Sequence, residues 1–174
     1  MLEKINLGCG KHPKKGFVNV DIRDYPSVDI KFDLNKTPYP LESNKYELAT
    51  MDYVLEHLDN IPKIMEEIFR ILKPNGKFTI ISPHYASFSR YIDPTHKHGF
   101  SYFYFDYFSK EHYREYQFKC NFKTIKRELI FPKHLFIFKY FANKFPGFFE
   151  TNLCYIFRPS YVKITLMADK SLES

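Results

Sequence analysis

Ile5-Asn6-Leu7-Gly8-Cys9-Gly10 is followed a few residues later by Val18-Asn19-Val20-Asp21, so one short apolar run ends in a glycine turn and the next in a carboxylate. In an open parallel sheet both ends lie in the crevice at the carboxyl edge of neighbouring strands, where such folds bind their ligands. Glycine lets the backbone approach a ligand closely, because it has no Cβ and tolerates positive φ. An ionised Asp at the next strand tip can accept hydrogen bonds from both hydroxyls of a ribose. The pair therefore suits a nucleoside.

The chain has 174 residues, a normal size for one domain, with 44% hydrophobic and 26% charged residues. That composition excludes a disordered chain. No apolar run approaches a membrane span, and Met1-Leu2-Glu3-Lys4 leads into a strand without a signal-peptide pattern, so a cytoplasmic protein is expected. Cys9, Cys120 and Cys154 are odd in number and form no CxxC pair, which points to free thiols. The net charge of +6 is concentrated between Arg114 and Lys144, where aromatic residues interleave with the bases. Two readings stay open there: a face for an anionic partner, or solvated Lys heads over buried rings.

Outward from the opening motif, Lys4–Leu7, Phe17–Asp21, Val28–Phe32 and Tyr46–Met51 read as the first four strands. Glu47 and Thr50 make the fourth less apolar than a central parallel strand should be. Asp59 or Asn60 caps a helix with Pro62 in its first turn and Ile61, Ile64, Met65, Ile68, Phe69 and Leu72 on one face. Pro74-Asn75-Gly76 is expected to end it before the strand Lys77–Ile81, giving a right-handed parallel crossover. Residues 88–118 are dense in aromatics without clean periodicity. Phe122–Phe131 and Tyr161–Ala168 read as the last strands, with a short helix and loops between them.

Leu7-Gly8-Cys9-Gly10, Asn19-Val20-Asp21-Ile22, Phe32-Asp33-Leu34, Val54-Leu55-Glu56-His57-Leu58 and Leu72-Lys73-Pro74-Asn75-Gly76-Lys77, in that order, resemble the motif series of class I S-adenosylmethionine-dependent methyltransferases. Asp93-Pro94-Thr95-His96 with Phe100-Ser101 resembles a segment of small, type 11-like members, many of which sit among carbohydrate-modifying genes. The resemblance implies an α/β fold: a Rossmann-like, doubly wound, seven-stranded sheet, mostly parallel with an antiparallel last strand. It further implies one methyltransferase domain over residues 1–174, with a cofactor half (1–83) and a lid and acceptor half (84–174).

By the same resemblance the cofactor is S-adenosylmethionine, leaving as S-adenosylhomocysteine. Leu7, Gly8, Cys9 and Gly10 would lie along its methionyl and ribose portion, Asp21 with Ile22 at the ribose, and Asp33 with Leu34 at the adenine edge. Met51 and Asp52 would face the methionine end, with His57 near the same pocket. Only ten residues separate Gly10 from Asp21, fewer than a crossover with a full helix needs, so that helix must be shortened or replaced by the loop Lys11–Gly16. Pro13 stands where a dinucleotide fold needs its third glycine, which argues against a nicotinamide enzyme.

A hydroxyl acceptor calls for a general base, and His96 or His84 with Asp93 as partner are the candidates near the mouth. An Asp-Pro turn stabilising a lid is the bland alternative for the same residues. His84, His96, His98 and Asp93 could also ligate a metal, but nothing in the spacing fixes that geometry, and no metal is expected. Glu56-His57 lacks the second His of a metalloprotease helix. The expected acceptor is a small molecule or carbohydrate, with a lipid-linked acceptor met at a membrane surface as a variant. Alternatives are a nucleic-acid methyltransferase using the basic 114–144 segment and a non-catalytic cofactor-binding subunit. Oligomeric state is not encoded in these motifs.

Overall fold

The computed structural model describes residues 3–109 and 118–171. The start of the basic window, residues 114–117, and the end of the aromatic-rich stretch lie outside them. Strands β1 (Lys4–Leu7), β2 (Val18–Asp21), β3 (Ile30–Lys31), β4 (Tyr46–Asp52), β5 (Leu72–Pro83), β6 (Phe122–Ile130) and β7 (Tyr161–Ala168) form one sheet in the order β3-β2-β1-β4-β5-β7-β6. The first five pair in parallel, and β7 runs antiparallel to both neighbours. This is the mixed seven-stranded sheet that the motif series implied.

The two faces of the sheet differ because the strands alternate. Ile5, Leu7, Val20, Ala49, Met51, Phe78, Ile80, Ile164 and Leu166 are in register on one face and buried. Asn19, Asn6, Thr50, Thr79 and Thr165 form a polar row across the other. Parallel sheets covered on both sides read as continuous apolar runs. Here the ten-residue β1–β2 connection holds no helix, so the second face is covered by a loop and satisfies itself with hydrogen bonds. Asn6 donates to Asn19 at 3.1 Å, Thr50 donates to Asn6 at 3.1 Å, and Lys14 of the loop donates to Thr50 at 2.9 Å. The polar Thr50 in a central strand is thus explained by the missing helix.

Helix α1 (Ile61–Ile71) turns its apolar stripe to the buried face, where Phe69 meets Phe122 edge-on at 5.4 Å. Asn60 accepts the Lys63 N–H at 3.1 Å and caps the helix. Asn60→Ala is expected to cost about 1 kcal/mol, measured as a shift in the urea midpoint at constant slope.

Two boundaries differ from expectation. The helix stops at Ile71, ahead of Pro74, because Leu72 already adopts extended geometry (ψ 144°) and pairs with Tyr46, so Pro74-Asn75-Gly76 becomes an irregularity inside β5. Strand β3 keeps only two residues because the Asp29 carboxylate takes the Asn19 N–H at 2.7 Å, substituting a side-chain bond for the ladder. The aromatic-rich stretch contributes α2 (Ser89–Ile92) and a 3-10 turn at Tyr104–Phe108, and the β6–β7 connection carries α3 (Phe136–Lys144) and α4 (Pro146–Asn152). Cys9, Cys120 and Cys154 are buried and form no disulfide among the described residues. No helix among the described residues is long and apolar enough to cross a membrane.

Candidate functional site

At the carboxyl ends of β1, β2 and β4 lies a cleft of about 560 Å³ whose walls include Gly8, Gly10, Asp21, Ile22, Asp33, Leu34, His57 and Asp93. All eight are positions singled out in the sequence. The walls also include Arg23, Asn35, Tyr53, Val54, Leu58 and Thr95, which sequence reasoning did not assign to a site. Tyr53 carried a structural signal invisible in sequence: it turns the chain at the tip of β4 with φ 59°, a strained left-handed conformation for an aromatic residue. Leu7, Cys9 and Met51 are buried in the core and do not line the cleft. Asp52 is also absent from its walls and pairs with Lys14 of the first loop at 2.8 Å. A lysine therefore occupies the carboxylate that was expected to face the methionine end.

Asp21 is fixed from two sides. Its Oδ2 accepts the Gly10 N–H at 2.7 Å and its Oδ1 accepts the Arg23 N–H at 2.9 Å. Each oxygen keeps a lone-pair site for a further donor. Gly8 has φ 75°, and a Cβ there would sit 2.5 Å from a methyl of Val54. A Cβ on Gly10 (φ 51°) would meet nothing within 4 Å, leaving open space beside Asp21. An acceptor carboxylate against an unobstructed glycine turn fits a nucleoside's ribose, and the residues present suit an adenosyl cofactor.

Beyond the rim, a second group comes together. One potential ligand atom from each of Glu56, His57 and His96 lies within 4.8 Å of the others, and the two imidazoles pack edge-on at 4.7 Å. The Thr95 hydroxyl donates to Asp93 at 2.6 Å, so at 2.9 Å from His57 Nδ1 it acts as acceptor of that ring's N–H. His96 Nδ1 donates to the Ser89 carbonyl at 3.0 Å. Both neutral rings thus carry the proton on Nδ1 and leave Nε2 with a free lone pair. Hydrogen bonds from the Thr95 hydroxyl and N–H hold the Asp93 carboxyl below its ordinary value.

These contacts change two sequence assignments. Asp93 was expected to orient His96 or His84, yet its nearest oxygen is 3.9 Å from His96 Nε2, and through Thr95 it orients His57 instead. His84 is fully buried; its Nδ1 accepts the Ala86 N–H at 3.1 Å and its Nε2 donates to Glu150 at 3.0 Å. With its lone pair occupied and its ring outside the cleft walls, His84 is not placed to accept a proton there.

Glu56 is fully buried, with Oε2 accepting the Ser82 hydroxyl at 2.5 Å and Oε1 without a partner. Burial pushes its carboxyl above the ordinary value, against the smaller lowering by Ser82. A raised folded value makes protonation favour the fold: the contribution is complete below the ordinary carboxylate range and is lost as pH rises through the raised value. Glu56→Gln keeps the acceptor for Ser82 without the charge. In metal-free buffer it should therefore melt above the parent at pH 8, with the difference shrinking in acid; a lower melting temperature at pH 8 contradicts the buried-charge assignment.

A family model described as a methyltransferase domain matches residues 7–126. A 2-phytyl-1,4-naphtoquinone methyltransferase from Trichormus variabilis is 38% identical over 61 residues, 34% of this chain and 27% of that protein. A sterol 4-C-methyltransferase from Caenorhabditis elegans is 36% identical over 64 residues, 37% of this chain and 18% of that one. The matching stretch spans about a quarter or less of these curated relatives. Among solved structures, a SAM dependent methyltransferase from Archaeoglobus fulgidus superposes with a TM-score of 0.64 at 18% identity, over 95% of this chain and 86% of that one. That likeness is one of fold.

Proposed function

The chain belongs to the methyltransferase-domain family, and on that premise we propose that it transfers a methyl group from S-adenosylmethionine to the hydroxyl of a small-molecule acceptor. The observation that carries this reading is the Asp21 carboxylate, held by the Gly10 N–H and facing an open cleft. When bound, S-adenosylmethionine supplies an electrophilic methyl group on a sulfonium. Asp21 accepts from the ribose hydroxyls, the Gly8–Gly10 turn admits the cofactor close to the backbone, and Asp33 with Leu34 borders the base. Holding two reactants in line accounts for on the order of 7 to 11 kcal/mol of barrier reduction in favourable cases.

His57 takes the proton-accepting task expected of His96 or His84, because it lines the cleft, has a free Nε2 and is oriented through Thr95 by Asp93. His57→Ala should lower kcat roughly a hundredfold, the lower end for a lost general base, while S-adenosylhomocysteine affinity holds within about threefold. An unchanged kcat would count against this role. The first test is calorimetry with S-adenosylhomocysteine against NAD: binding of the former alone supports the reading, and binding of NAD alone overturns it.

For the acceptor, a lipophilic small molecule is favoured by two observations. The relatives' names specify quinone and sterol acceptors, and α3 exposes Phe136, Ile137 and Tyr140 beside Lys139 and Lys144, the make-up of a helix that rests on an anionic lipid surface. A carbohydrate acceptor is the runner-up. The nucleic-acid alternative is weaker, since Lys123, Arg127 and Lys139 of the basic window are each paired with a carboxylate, Asp169, Asp106 and Glu128. Cell extract incubated with the protein and labelled methyl donor should carry label in the organic-soluble fraction; label in the RNA digest would reverse this ranking.

A further inference from the structure

We propose that Glu56, His57 and His96 form a binding site for a divalent first-row transition-metal ion at the acceptor side of the cleft. Three independent features converge there. Glu56 Oε1 is a fully buried carboxylate oxygen with no hydrogen-bond partner, a position that buried polar groups rarely occupy without a water or an ion. His57 and His96 each commit Nδ1–H outward, to the Thr95 hydroxyl and the Ser89 carbonyl, and so leave Nε2 as donor. That is the outer arrangement which fixes metal-ligating imidazoles, whose other nitrogen donates to a carbonyl, carboxylate or hydroxyl.

The donor set matches the ion in charge and kind. One carboxylate and two neutral imidazoles supply a net charge of about −1 and a two-nitrogen, one-oxygen set, which selects ions of the zinc, iron, cobalt and nickel type over magnesium or calcium. One potential ligand atom of each residue already lies within 4.8 Å of the others, so the three side chains start close to the spacing of donors around a shared ion. Asp93 Oδ2, 3.9 Å from His96 Nε2, is a further oxygen within reach. The neighbouring His98 does not belong to this cluster; its Nε2 donates to the Leu58 carbonyl at 2.9 Å. In the proposed reaction an ion here, with a coordination position open to the cleft, would bind the acceptor oxygen and lower its pKa. With His57 Nε2 on the ion, the acceptor's proton would pass to solvent instead of to His57. The role rests on the proposed methyl transfer; the existence of the site does not.

The test uses untagged protein stripped with chelator. Calorimetry with Zn²⁺ and visible absorption with Co²⁺ should report equimolar binding. Glu56→Gln and His96→Ala should each weaken Zn²⁺ binding at least tenfold, and Thr95→Ala, which touches only the outer shell, by about tenfold to a hundredfold. His12→Ala and His134→Ala should leave it unchanged. S-adenosylhomocysteine affinity, measured on the same samples, reports whether each variant is folded and separates the two proposals: cofactor binding without metal binding sinks only the metal site. Absence of equimolar binding in the parent, or binding that survives Glu56→Gln and His96→Ala, overturns the inference.

Discussion

Asp21→Asn should weaken S-adenosylhomocysteine binding by roughly a hundredfold. Hydrogen bonds from hydroxyls to a charged acceptor are worth about 1.5 to 3 kcal/mol each, so losing the charge and one of two acceptor oxygens removes about 3 kcal/mol. The amide cannot spare an oxygen either. One carboxylate oxygen holds the Gly10 N–H and the other holds the Arg23 N–H. An Asn oxygen can keep only one of these, and its NH₂ then opposes the other backbone donor. The Gly10 bond, which sets the glycine turn against the strand tip, is the one whose loss would compound the effect. Asp21→Ala should go further and abolish detectable binding. Calorimetry at fixed salt reads both, and an unchanged affinity for Asp21→Asn removes the ribose role from this residue.

The cleft was legible in the sequence because its residues sit at strand tips, and strand tips follow from period-two alternation. Gly8, Gly10, Asp21 and Asp33 line the cleft for that reason. Even the short β1–β2 loop followed from counting residues, although its consequence did not: only the register shows that Asn6, Asn19 and Thr50 share one face and bond to one another and to the loop lysine. The histidine group beyond the rim was less legible, since hydrogen-bond partners there come from segments distant in sequence. His84 and His96 look equivalent as loop histidines, yet Glu150 from α4 occupies one, while His57, 39 residues before His96, packs against the other. Glu56 next to His57 was dismissed for lacking a second His at helical spacing. The second His arrives through the fold, from the loop after α2.

Gly8→Ala is expected to lower stability by about 2 to 5 kcal/mol. Two terms add. The left-handed φ of 75° costs an L-residue roughly 1 to 2 kcal/mol, and forcing a methyl into filled space costs about 1 to 3 kcal/mol. The new Cβ would lie 2.5 and 2.7 Å from the two methyls of Val54, a β-branched side chain with little rotamer freedom to retreat. Val54 leads directly into the 3-10 turn Leu55–His57, so its displacement should also disturb Glu56 and His57. In thermal unfolding the expected loss is roughly 5 to 15 °C for a chain of this size, accompanied by loss of cofactor binding. Gly10→Ala separates the causes, because its φ of 51° carries the backbone strain while its Cβ meets nothing within 4 Å. It should cost only about 1 to 2 kcal/mol in stability, yet still weaken the cofactor, whose space the methyl enters. Gly16→Ala has the same kind of φ, 78°, in the same open surroundings but lies away from the cleft walls, so it should lower stability without touching affinity. If all three variants lost affinity alike, the effect would be one of general backbone strain, and the close approach at Gly8 and the open cofactor space at Gly10 would both be refuted.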